Sequence, residues 1–195
     1  VHGLINASLQ RFLCDTYGRA KWDEIVRAAG LGISDFEALL SYDDALTTAV
    51  LRAAAFALDK VEDMLLEDMG TYLVSHPERI ALRRLLRFGG ESFLDFLGSL
   101  DDLPDRARLA LPDLELPRLT LHRERSTRYR LEITGGFPEF GPIALGVLRA
   151  MADDYGALAY LDYARQDAGR AVIRIDVHEV CFAEGRRFEL AARLA

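Results

Sequence analysis

Histidines, cysteines and adjacent aspartates are the side chains of this 195-residue chain that could ligate a metal or move a proton. The four histidines, His2, His76, His122 and His178, are scattered, and the two cysteines, Cys14 and Cys181, lie far apart in segments of opposite type. Metal centres draw such ligands together at short spacings, and no CxxC or HExxH string occurs. The histidines therefore read as solvated and the thiols as reduced and buried. Asp43-Asp44, Asp101-Asp102 and Asp153-Asp154 place carboxylates side by side. Neighbours on a helix diverge by about 100°, so these pairs read as caps and solvated faces, not as an acid–base couple. No nucleophile elbow or phosphate loop is present, and nothing in the residues asks for an enzyme.

A formal charge of −7 opposes phosphate binding, which needs a concentrated positive field. Arg123, Arg125, Arg128 and Arg130 are the one basic run, and their alternation describes a solvated strand face. No apolar run reaches the roughly 20 residues of a membrane span, and the N-terminus lacks the basic flank of a signal peptide. A cytoplasmic protein with neither nucleic acid nor membrane as partner is expected.

Those residues must be held by a core, and half the chain is apolar. That suffices for one compact domain. Helical spacing runs through the first hundred residues. Leu4, Leu9, Phe12 and Leu13 form a stripe closed by Gly18, and Trp22, Ile25 and Val26 form another ending near Gly30. Ser34 and Glu37 make a capping-box signal for a short helix around Phe36 and Leu39, and Asp43 or Asp44 opens an alanine-rich helix through Val50, Ala54 and Leu58. Further helices are expected over Met64–Leu73, from Pro77 to Leu86, and from Glu91 to Leu100. Pro104, Pro112 and Pro117 then break helical continuity. Beyond them Leu119 with Leu121, Leu131 with Ile133, and Ile173, Ile175 and Val177 alternate as strands do. Gly141-Pro142 starts a helix with Ile143, Val147, Leu148 and Met151, while Glu184-Gly185 suggests a hairpin tip returning through Phe188 and Leu190. Helices first and mostly antiparallel strands later make the class α+β. The expected division is a helical lobe over 1–103, a hinge over 104–117 and an α/β lobe over 118–195.

Two strings carry a more specific signal. Val1-His2-Gly3-Leu4-Ile5-Asn6, followed by Tyr17-Gly18 and Trp22-Asp23-Glu24-Ile25, is similar to the opening of H-NOX (haem-nitric oxide/oxygen binding) domains. Arg84-Leu85-Leu86-Arg87-Phe88-Gly89-Gly90, leading to Phe93, Phe96-Leu97 and Leu100-Asp101-Asp102-Leu103, resembles the family's segment before its haem-ligating histidine. The next residue here is Pro104, whose ring nitrogen is consumed in the peptide bond and offers iron no lone pair. Pro117, thirteen residues on, matches a family proline that packs on the porphyrin. The family's Tyr-x-Ser-x-Arg set, which holds the haem propionates, falls on Thr134, Gly136 and Pro138 when counted back from the Ile143–Val147 helix. A rival register places it on Glu124, Ser126 and Arg128, at the expense of making the strand Arg130–Ile133 an insertion.

By this resemblance Ile5, Leu9, Ile143 and Val147 match the distal wall of the family's pocket. The resemblance implies a sensory or regulatory binding protein that signals through a histidine kinase or a cyclic-nucleotide enzyme. Haem is the family's cofactor, and with the proximal ligand missing the cofactor of this chain is left unknown. Three interiors remain open: a cleft holding another apolar or flat ligand, haem held by a substitute ligand such as His2, and a cofactor-free protein-interaction module.

Overall fold

A computed structural model describes residues 3–77, 80–110, 114–166 and 169–187. Among the described residues seven α-helices precede the first strand: α1 (Gly3–Tyr17), α2 (Arg19–Ala28), α3 (Asp44–Leu58), α4 (Glu62–Ser75), α5 (Ile80–Arg87), α6 (Phe93–Gly98) and α7 (Leu103–Ala110). Then come β1 (Arg118–Arg123), β2 (Arg128–Thr134), α8 (Phe140–Tyr155), β3 (Leu158–Gln166) and β4 (Arg170–Glu179). The strands form one antiparallel sheet in the order β1-β2-β4-β3. The chain is thus α+β, as its patterning requires.

Local chemistry sets the element ends. Gly18, at φ 87°, separates α1 from α2 in a conformation that side chains resist. Asp43 caps α3 by accepting from the Ala45 N–H at 2.9 Å. Ser92 and Asp95 form a reciprocal capping box on α6, which the sequence reading did not assign.

Two apolar clusters lie on either side of α8. Leu9, Phe12, Leu13, Trp22, Ile25 and Val50 belong to the cluster of the N-terminal helices, which α8 joins through Ile143. Phe93, Phe96 and Leu97 of α6 pack instead with the inward residues of the sheet and with Leu145, Leu148 and Met151 of α8. Between them α4 crosses α8 at close range: a Cβ on Gly70 would collide with the carbonyl oxygen of Ile143, and one on Gly146 with that of Glu67. Only glycine allows two helix backbones to approach so nearly.

Several expectations change. The helix around Phe36 and Leu39 does not form. Ser34 donates to Asp35 Oδ2 at 2.9 Å instead of capping, and Gln10 Oε1 accepts the Phe36 N–H at 2.7 Å, so side chains satisfy this loop without a helical turn. Pro104 does not interrupt a helix, because it stands in the first turn of α7, where its missing N–H has no helical partner to lose. Pro112 lies outside the described residues. Strand β3, unassigned from the sequence, is an edge strand, and only Leu161 in it is fully buried.

Glu184-Gly185 forms no hairpin among the described residues, and Phe188 and Leu190 lie outside them. The chain after β4 runs instead over the end of α8. Phe182 and Ala183 donate N–H groups to Gly156 O at 2.9 and 3.0 Å, and Arg186 N–H reaches Asp154 O at 2.9 Å.

Asp154 corrects the view of Asp153-Asp154 as a solvated face. Asp153 is exposed, but Asp154 is only 1% exposed and accepts from Arg83 Nε at 2.8 Å, with Arg87 Nε 3.6 Å from its second oxygen. The Arg87 guanidinium lies 3.9 Å from the centre of the Tyr155 ring, and Arg83 also donates to the carbonyl of Arg187 at 3.1 Å. One buried carboxylate thus ties α8, α5 and the outgoing chain together.

Candidate functional site

Leu9 of α1 and Ile143 of α8 are 2% and 7% exposed and belong to the same core. Val147, one turn along α8, is half-buried and packs against both clusters. Ile5 is half-buried on α1. The structure places Leu9, Ile143 and Val147, which the resemblance groups in one wall, as parts of packed cores.

On the other side, Pro104 is half-buried in the first turn of α7, and Pro117 is buried just before β1. Gly136, at φ 68°, lies directly on Pro117: a Cβ there would stand 2.9 Å from the proline nitrogen. Thr134 ends β2 in register with Arg170 of β4. Pro138 is exposed and lines a small hollow of about 90 Å³ together with Gly135, Phe137, Gly141 and Arg165. Thr134, Gly136 and Pro138 thus supply a single side-chain hydroxyl among them. The rival trio fares no better. Glu124, Ser126 and Arg128 are exposed around the β1–β2 turn, where Glu124 accepts from Arg130 at 3.0 Å and Arg128 donates to Asp176 at 2.7 Å. Those charges belong to the solvated sheet face anticipated for the arginine run.

Substitute iron ligands are equally poorly placed. His122 Nε2 lies 3.5 Å from Glu132 Oε2 on that outer face, and His178 is exposed. The His76 ring packs 4.7 Å from the ring of Tyr72, whose hydroxyl donates to Asp15 at 2.5 Å. His2 lies outside the described residues. Cys14 is half-buried, with its thiol pKa pushed up chiefly by burial, whereas Cys181 is exposed, against the expectation that both are buried. Among the described residues no cluster of His, Cys, Asp or Glu is placed to hold a metal, and no helix is long and apolar enough to cross a membrane.

The haem implied by the resemblance therefore finds neither an imidazole at position 104 nor the propionate donors at 134, 136 and 138, and the residues present do not fit it. A different feature escaped the sequence reading. An open groove of about 710 Å³ lies at the α3–α4 junction, flanked by Phe56 and Val61.

The chain matches the family described as haem-NO-binding over residues 2–159. Soluble guanylate cyclase gcy-31 of Caenorhabditis elegans is 24% identical over 127 residues, covering 65% of this chain and 18% of that protein. Soluble guanylate cyclase 89Db of Drosophila melanogaster is 22% identical over 121 residues, again 18% of its length. The chain thus spans under a fifth of these curated relatives. Among solved structures, the Fe(II) unliganded H-NOX protein from K. algicida superposes with a TM-score of 0.78 at 16% identity, over 94% of this chain and all of that one. The S. oneidensis H-NOX protein in its Fe(II)NO state gives 0.75 at 14% identity, over 92% of this chain and all of that one. At such identities the likeness establishes the fold.

Proposed function

The chain belongs to the haem-NO-binding family of sensory domains, and from that premise we propose that it is a non-catalytic regulatory domain that works without an iron–histidine bond. The observation that carries this reading is Pro104 in the first turn of α7, which by the resemblance matches the position of the family's imidazole. Sensing of nitric oxide by rupture of an iron–histidine bond requires that bond to exist. A cofactor-free interaction module fits the packed placement of Leu9, Ile143 and Val147 better than an open cleft does. Its signal would pass as a change in angle between the helical lobe, 1–103, and the α/β lobe, 118–195. The proposed joint is the segment from Leu103 to Pro117, which opens with helix α7. A histidine kinase or a cyclic-nucleotide enzyme is the class of partner that the family suggests.

Native mass spectrometry of the protein isolated from haem-replete cells tests this. The expected result is the bare 21.8 kDa chain. A haem adduct would refute the reading, and an adduct with another flat apolar molecule would replace the module with a ligand-gated sensor.

A further inference from the structure

The groove at the α3–α4 junction combines exposed apolar groups with an acidic rim. Phe56 is 89% exposed, and Val61 and Met64, just across the turn, are 65% and 58% exposed. Scattered exposed apolar residues are ordinary, but Phe56 and Val61 flank the same hollow, with Met64 one turn beyond Val61. Around them stand Asp59, Glu62 and Asp63, against Lys60 and Arg165. Both cations are already engaged. Lys60 pairs with Asp68 at 2.5 Å, a carboxylate outside the groove lining, and Arg165 pairs with Asp63 at 2.8 Å. The groove is therefore apolar along one lip and net acidic at its rim.

We propose that this groove docks a basic amphipathic segment of a partner protein, with an apolar side chain against Phe56 and Val61 and lysines or arginines facing Asp59, Glu62 and Asp63. An apolar stripe seats one face of such a helix, while charge complementarity sets its register and speeds encounter. The acidic rim disfavours anionic membranes and nucleic acid, which would face like charge. The Asp63–Arg165 pair joins α4 to β3 at the groove's edge. A partner cation taking Asp63 would loosen that tie between the helical lobe and the sheet. This deepens the interaction-module reading and rests on it for the partner's role. The haem measurements decide that reading, and peptide binding decides this one.

The test uses a fluorescent 18-residue leucine–lysine helical peptide, its leucine–glutamate counterpart, and the whole chain. Anisotropy should report saturable binding at roughly micromolar Kd for the lysine peptide and none for the glutamate one. Amide shifts should be confined to residues 55–63 and Arg165. Phe56→Ser and Glu62→Lys each alter an existing side chain at the groove, and each should weaken binding about tenfold or more while keeping the wild-type circular dichroism. Shifts centred elsewhere, equal binding of both peptides, or wild-type affinity in both variants would overturn the proposal. So would a Phe56-dependent dimer in sedimentation, which would assign the face to a second copy, or Phe56-dependent binding to anionic vesicles.

Discussion

Asp154→Ala is expected to lower unfolding stability by about 3–5 kcal/mol, the usual consequence of removing one partner of a buried ion pair. The carboxylate is 1% exposed, while the Arg83 and Arg87 side chains retain 19% and 13%. Without it, two guanidiniums in a poorly solvated place lose the buried carboxylate that faces them both. Arg83 keeps the Arg187 carbonyl and Arg87 keeps the Tyr155 ring, but neither carries the negative charge. Asp154→Asn retains size and one acceptor, so its loss should be smaller than that of alanine and larger than that of an exposed control such as Asp153→Asn. Urea unfolding at pH 7 measures all three. A loss under about 1 kcal/mol for the alanine variant would mean that α5 and α8 are held by apolar packing alone.

Gly146→Val should cost about 3 kcal/mol, at the upper end of what overpacking costs. The added Cβ would collide with the Glu67 carbonyl and come within 2.9 Å of the Thr71 nitrogen, both backbone atoms of α4 that cannot rotate away. Either α4 and α8 separate, thinning the contacts around Ile143 and Val147, or the helix bends. The exposed control Arg149→Val, which removes only the surface pair with Glu67, should change stability by under about 1 kcal/mol. Thermal melts followed at 222 nm distinguish these outcomes, and equal melting of the two variants would show that the crossing has slack.

Periodicity and punctuation made most of the architecture legible. Stripes such as Leu9–Phe12–Leu13 repeat at helical spacing because each helix buries one face, and Ile173–Ile175–Val177 alternate because β4 is a central strand with its inward side on the core. Edge strand β3 lacked that signal, since an edge strand needs little burial. Ser34 misled because a serine followed by a carboxylate satisfies a loop as readily as a helix start. The pairing of Asp154 with Arg83 joins residues 71 apart, beyond the reach of any local pattern.

The candidate site divides in the same way. That Pro104 cannot bind iron follows from its covalent structure and needed no coordinates. That Gly136 lies on Pro117 required them. The groove left a signal that was passed over: at about 100° per residue, Phe56 falls opposite the stripe of Val50, Leu51, Ala54 and Leu58. Phe56 is 89% exposed there and adds little to the packing of α3.

Ferrous haem titrated into the purified chain under carbon monoxide, with the Soret region recorded at each step, measures most directly whether this member of the family retains the family's chemistry. The expected spectrum remains that of free haem–carbon monoxide past equimolar addition, because proline stands at 104 and Thr134, Gly136 and Pro138 offer one hydroxyl among them. A saturable one-to-one transition to a sharp, ligand-sensitive band would contradict the account.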